Sequence, residues 1–255
     1  MMNEEVLCKR ENLTIALQQV WGLCQDAQRY LEECPARTRE ACPDLSKTVE
    51  RLVPSLLDSQ AARLDTTSLS QLVSIVGSCR NCGLGATRNH TVPGEGVLNP
   101  RVMVIGEGPG ADEDASGRPF VGKAGQYLDK WLAAVGLSRD RNVYIANIVK
   151  CRPPGNRDPL PEEAAACIPY LKRQIQLVKP EAILCVGRIA AHFLLQKEEG
   201  VGLLRGRFHR FEGIPVLVTY HPAGVLRNTG LRGAVWDDMQ QLAGFLQLPI
   251  PARKG

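Results

Sequence analysis

The sequence has no run approaching the roughly 18 uninterrupted apolar residues of a membrane span, no internal repeat and no low-complexity tract. A membrane protein, a solenoid and a disordered chain are therefore not expected. Its start, Met1–Glu11, is acidic where an export signal places a basic and then an apolar stretch, so the protein is expected to stay in the cytoplasm. An excess of one charge is also missing: 31 Lys and Arg against 27 Asp and Glu leave a net charge of +4 and a pI near 8.6. Such mild basicity is compatible with a nucleic-acid partner without requiring one. Nine cysteines, an odd number with no export signal, point away from a disulfide framework and towards thiols or metal ligands in a reducing compartment.

With 255 residues, 44% hydrophobic and 23% charged, the chain can bury the core of one large domain plus an appendage. Apolar residues from Leu13 to Leu31 recur at spacings of three and four, which predicts an amphipathic helix ending before Pro35. Residues 35–68 read as a short helix around Leu52–Leu57 and a linker. We therefore divide the chain into a helical extension, residues 1–70, and a main domain, residues 71–255. In the latter, short β-branched runs at Arg101–Ile105, Val143–Ala146, Ala182–Val186 and Pro215–Thr219 predict buried strands. Helical spacing over Gln126–Val135, Pro161–Val178, Arg188–Leu195 and near Trp236–Leu246 separates and follows them. This alternation predicts a three-layer α/β/α sandwich around a four-stranded parallel sheet. Ligands of such sheets bind at the carboxyl edge, which directs attention to Glu107 and Gly108, Asn147, Gly187, and Tyr220 with His221.

Two of the thiols, Cys79 and Cys82, form a Cys-x-x-Cys pair, and Cys151 and Cys167 can complete a four-sulfur shell. Spacing alone admits zinc or an iron–sulfur cluster. Cys8, Cys24, Cys34 and Cys42 lack close partners and Cys185 lies within an apolar strand, so these five read as simple thiols. Gly106-Glu-Gly-Pro-Gly-Ala111 formally satisfies a dinucleotide fingerprint. Against that reading, Asp112, Glu113 and Asp114 stand where a pyrophosphate would sit, and Ser116–Phe120 continues as loop instead of opening a helix.

Four segments carry a resemblance: Gly106-Glu-Gly-Pro-Gly-Ala-Asp-Glu-Asp114, Gly117-Arg-Pro-Phe-Val-Gly-Lys-Ala-Gly-Gln126, Asn147-Ile-Val-Lys-Cys-Arg-Pro-Pro154 and His221-Pro-Ala. Over residues 75–246 the chain resembles the family 4 uracil-DNA glycosylases. The resemblance implies a [4Fe-4S] cluster on Cys79, Cys82, Cys151 and Cys167, and uracil-containing DNA as the partner. Residues 1–70 lie outside it.

A glycosylase takes its base out of the stack, holds it and stabilises the charge that develops as the N-glycosidic bond breaks. Phe120 offers a flat face for a pyrimidine, although it would equally serve as a core aromatic. Asn147 can donate to uracil O4 and accept from N3–H, an order that cytosine reverses. Gly108 is a further substrate-side position, and His221 can donate to uracil O2 as the base departs. Glu107 and Glu113 are the carboxylates expected to orient water or favour the cationic sugar, with Asp114 left open. Val225 or Leu226 would fill the gap left by the flipped nucleotide, unless this stretch is a helix cap with Leu226 buried. Arg227 and Lys123 would meet phosphates. Two other readings remain: a uracil-DNA binder that traps the sugar covalently, and an iron–sulfur electron carrier. The first needs a histidine-bearing basic insert after Phe120 that this chain lacks. The second expects ligands clustered in sequence, whereas 68 residues separate Cys82 from Cys151.

Overall fold

The four β-branched runs become the centre of a six-stranded sheet in the structure, a computed structural model that describes Leu64 and residues 68–248. The helices expected over residues 4–33 and 52–57, and Cys8, Cys24, Cys34 and Cys42, lie outside the described residues. Those that are described belong to one unit beginning at Leu57.

In chain order the elements are α1 (Leu69–Ser78), α2 (Leu84–Thr87), β1 (Glu95–Gly96), β2 (Val102–Gly106), α3 (Ala111–Ser116), α4 (Lys123–Ala134), β3 (Val143–Asn147), α5 (Pro161–Val178), β4 (Ala182–Val186), α6 (Arg188–Leu195), α7 (Val201–Leu204), β5 (Phe208–Phe211), β6 (Ile214–Thr219), α8 (Pro222–Arg227) and α9 (Arg232–Phe245). The sheet order is β1-β3-β2-β4-β6-β5. Neighbouring pairs among β2, β3, β4 and β6 are parallel, as expected. The strand count is corrected from four to six: β1 adds to β3 and β5 to β6, both antiparallel. The α/β class stands. Helix α1 crosses the boundary drawn at residue 70, and Ser68 caps it by accepting from the Gln71 N–H while its own N–H donates to the Gln71 side chain.

Successive residues of a strand face opposite layers, and the core divides accordingly. Met103, Ile105, Ile183, Cys185, Val216 and Val218 pack with residues of α1, α5 and α6. Val102, Val104, Val143, Ile145, Leu184 and Leu217 pack with residues of α4 and α9. Covering both faces explains why β2, β3 and β4 are buried along their whole length and read as continuous apolar runs. At the carboxyl edge, β2 and β3 end in register with Gly106 opposite Asn147, and β4 and β6 end with Val186 opposite Thr219.

One buried charge braces that edge. Asp238 of α9 accepts from Thr219 Oγ1 at 2.7 Å and pairs with Arg205 at 2.9 Å. The strand that delivers His221 is thereby tied to α9, and leaving either partner of such a buried pair alone is strongly unfavourable.

The segment after Gly110 opens a helix that the sequence did not predict, α3 from Ala111, while Gly117–Phe120 beyond it is non-helical as expected. Asp112, Glu113 and Asp114 occupy its first turn, where carboxylates complement the helix dipole. The same acids that exclude a pyrophosphate therefore start the helix.

Candidate active site

Gly106 closes β2 where a side chain has no room: a Cβ there would lie 2.5 Å from both Asn147 Oδ1 and Phe120 Cζ. The glycine lets the amide and the ring approach the same backbone. Phe120 holds φ +53°, a left-handed conformation that is unfavourable for a bulky residue by about 1–3 kcal/mol. Its ring centroid lies 5.8 Å from that of His221 at an interplanar angle of 36°. Gly187, at φ +97°, follows β4 against His221, and a Cβ there would lie 3.0 Å from His221 Cβ. The ends of β2, β3, β4 and β6 thus converge on one place, with Phe120 brought in from the loop before α4.

Within it, Asn147 is 1% exposed and its Oδ1 has no hydrogen-bond partner among the described residues. A buried acceptor left unpaired is costly by about 1–3 kcal/mol. An N–H donor of a bound molecule would remove that penalty.

His221 is the N-cap of α8, and its Nδ1 accepts the Ala223 N–H at 3.2 Å. A neutral ring that accepts at Nδ1 carries its proton on Nε2. Burial, reinforced by the positive Arg227 and opposed by Glu113, pulls the His221 pKa down to about 4. The imidazole is therefore a neutral hydrogen-bond donor at physiological pH and not an imidazolium acid.

The carboxylates separate. Burial and the negative Asp158 push Glu107 up to about 7, against the opposing Arg188. Arg188 and Asp158 pair with each other at 2.5 Å. Glu107 is thus a half-buried carboxyl that can change protonation near neutrality. Glu113 is different: Oε2 accepts the Gly110 N–H at 3.0 Å, and Oε1 accepts the N–H groups of Val121 and Gly122 at 2.8 and 2.9 Å. Three backbone donors thus hold both of its oxygens, and its negative charge is close enough to act on His221. Asp114, left open by the sequence, is buried and accepts from the Asn89 and His90 backbone and from Asn89 Nδ2. Gly108 sits where a Cβ would press on Val149 at 2.7 Å. The other three histidines each meet a backbone carbonyl, His90 that of Asp114, His192 that of Lys197 and His209 that of Leu204.

Helix α8 packs against α4 beside this site. Val225 is fully buried in the core, which removes it as a wedge, whereas Leu226 is 43% exposed and Arg227 is exposed. Lys123 is exposed at the start of α4. Sequence reasoning missed Arg139, whose guanidinium meets the carbonyls of Pro119 and Phe120. Nothing local marks such a residue, since its partners are 19 and 20 positions away.

A cavity apart from these residues is lined by Cys79, Cys82, Cys151 and Cys167 together with Arg88, Lys150 and Tyr170. The Lys150 N–H donates to Cys167 Sγ at 3.3 Å, Arg88 Nη1 to Cys151 Sγ at 3.1 Å and the Tyr170 hydroxyl to Cys79 Sγ at 3.5 Å. Burial raises the thiols of Cys82 and Cys151 and pushes Cys167 up to about 12. Lys150 is fully buried, and its Nζ has one acceptor among the described residues, the Asn147 carbonyl at 2.8 Å. Among those residues, no three His, Cys, Asp or Glu side chains converge closely enough to hold a single metal ion. No described helix is long and apolar enough to cross a membrane.

An aromatic face, an unpaired amide acceptor and a neutral imidazole donor around one sheet edge define a protein built to hold a flat heterocycle with hydrogen-bonding edges. Residues 93–240 match the family model of the Uracil DNA glycosylase superfamily. The chain belongs to that superfamily, in its type-4 branch. It is 44% identical over 184 residues to a type-4 uracil-DNA glycosylase of Pyrobaculum aerophilum, covering 69% of this chain and 93% of that protein. A type-4 uracil-DNA glycosylase of Thermotoga maritima is 42% identical over 176 residues, covering 68% and 91%. A type-5 uracil-DNA glycosylase of Pyrobaculum aerophilum is 37% identical over 155 residues, covering 54% and 68%.

Proposed function

We propose that this enzyme excises uracil from DNA by hydrolysing the N-glycosidic bond of an extrahelical deoxyuridine, leaving an abasic site. The buried, unpaired Asn147 Oδ1 carries the reading, since uracil N3–H is the donor it lacks. Phe120 stacks on the base, the Asn147 amide donates to O4, and His221 Nε2–H donates to O2 as negative charge gathers there. Glu107 orients the water. Leu226 fills the vacated stack, and Arg227 and Lys123 meet phosphates. The activity belongs to the unit that includes α1 and its Ser68 cap, the residues N-terminal to that unit are an extension, and a thiol-rich chain suits the reducing cytoplasm.

The pH dependence follows from Glu107. Its carboxyl is neutral below about 7 and ionised above, so excision rises with pH through that region and levels off. Because burial raises the folded pKa from 4.5 to about 7, the carboxyl costs stability as pH climbs between those values and the penalty is complete above about 7. Glu107→Gln should remove the rising limb, lower the plateau, and be more stable relative to the parent at pH 8 than at pH 5. A limb that survives the substitution assigns the titration elsewhere.

The four thiols fit a [4Fe-4S] cluster. Among the described residues no three of these thiols close on a single-ion position, as a tetrahedral zinc would require. The N–H donors on Sγ and the cations of Arg88 and Lys150 suit an anionic cluster, and the cluster would supply ligation that joins α1, the loop after β3 and α5. Cys151→Ala should lose iron, the broad absorption at about 400 nm and soluble yield together. A colourless, folded parent protein holding one zinc would overturn the assignment.

Activity is tested with an oligonucleotide bearing one uracil, incubated with purified protein and then treated with alkali. Strand cleavage at the uracil position supports the reading; an intact strand from iron-loaded protein refutes it.

A further inference from the structure

Phe120 is held in its left-handed conformation by contacts from two sides, and neither belongs to the base pocket. On one side, Arg139 Nη1 donates to the Pro119 carbonyl at 2.6 Å and Nη2 donates to the Phe120 carbonyl. The guanidinium is itself fixed, with Nη1 on Glu95 Oε1 at 3.0 Å and Nε on Asp129 Oδ1 at 2.8 Å. Its side chain is 13% exposed. On the other side lies Gly125 of α4, where a Cβ would overlap the Phe120 carbonyl. Glu95 comes from the edge strand β1 and also pairs with Arg118 at 2.8 Å. A planar fork with five donors matches this set of carbonyls and carboxylates, and a single ammonium does not.

We infer that Arg139 is a positioning residue for base capture: it clamps the Pro119–Phe120 backbone so that the Phe120 ring stands opposite His221. The inference rests on the reading of Phe120 as the base-stacking residue. Without the clamp the loop relaxes towards ordinary backbone angles, and the ring leaves the place 5.8 Å from the imidazole. Affinity for the base falls, while binding to DNA backbone, which depends on phosphate contacts, does not.

A double-mutant cycle tests this on the full-length, cluster-loaded enzyme. The variants are Arg139→Lys, Phe120→Leu and the pair, read by inhibition with free uracil, by single-turnover excision and by binding to undamaged duplex. Arg139→Lys should weaken uracil inhibition about tenfold, and in the Phe120→Leu background it should add less than about twofold, the signature of residues acting through one another. Affinity for undamaged duplex should stay unchanged. Equal losses in both backgrounds, or unchanged uracil inhibition, overturn the inference. If Phe120→Leu alone leaves uracil inhibition intact, it is the stacking reading that fails. Should Arg139→Lys not fold, Glu95→Gln weakens the ion pair that fixes the guanidinium, and the same cycle with Phe120→Leu decides by the same criteria.

Discussion

His221→Ala is expected to slow single-turnover excision of uracil by about 10²-fold or more, a loss of roughly 3 kcal/mol on the scale of one oxyanion-type donor. The argument comes from the proton. Ala223 N–H occupies Nδ1, so the ring presents Nε2–H to the pocket, and burial holds the pKa at about 4. A neutral donor gains strength as the leaving base becomes anionic and is worth little before that, so chemistry suffers more than binding. No ionisation of His221 should appear in the rate profile between pH 6 and 9. Equal losses in uracil-DNA affinity and in excision would mean that His221 only holds the loop, moving the chemical role towards Glu107.

Asn147→Asp should reduce uracil excision by about 10²-fold or more, because a site built to hydrogen-bond its substrate discriminates strongly once a donor is replaced. An ionised carboxylate offers nothing to O4. Burial favours its neutral form, which restores a donor, so residual activity should be higher at pH 5 than at pH 8 relative to the parent enzyme. Cytosine excision is the accompanying readout, since a carboxyl can accept from N4–H₂. Unchanged uracil kinetics would remove Asn147 from the pocket.

The central strands were legible because burial on both faces makes them continuous apolar runs, and α5 and α6 followed from their spacing with matching ends. The edge strands were not. Glu95–Gly96 is too short to carry a pattern, and Phe208–Phe211 is only partly buried, with charged Arg210 exposed. Helix α3 was missed because Gly-Pro-Gly reads as a turn, although three acids in succession mark a helix start. The pocket residues were found through the strand ends and the motifs that carry the family resemblance. Glu113 was singled out on those grounds; its hydrogen bonds to Gly110, Val121 and Gly122, which only the fold reveals, show that it also organises the loop. Val225 and Leu226 were equivalent in sequence, and helix α8 turns the first inward and the second outward. Arg139 and Asp238 act across tertiary contacts that no local signal encodes.

The most direct measurement is the release of free base from duplexes carrying uracil, thymine or cytosine at one position, quantified together with the DNA product. The account predicts free uracil in step with abasic strand, no release of thymine or cytosine at comparable rates, and no DNA left attached to the protein after denaturation. A denaturation-resistant adduct without free uracil, or no uracil released by iron-loaded enzyme, would contradict it.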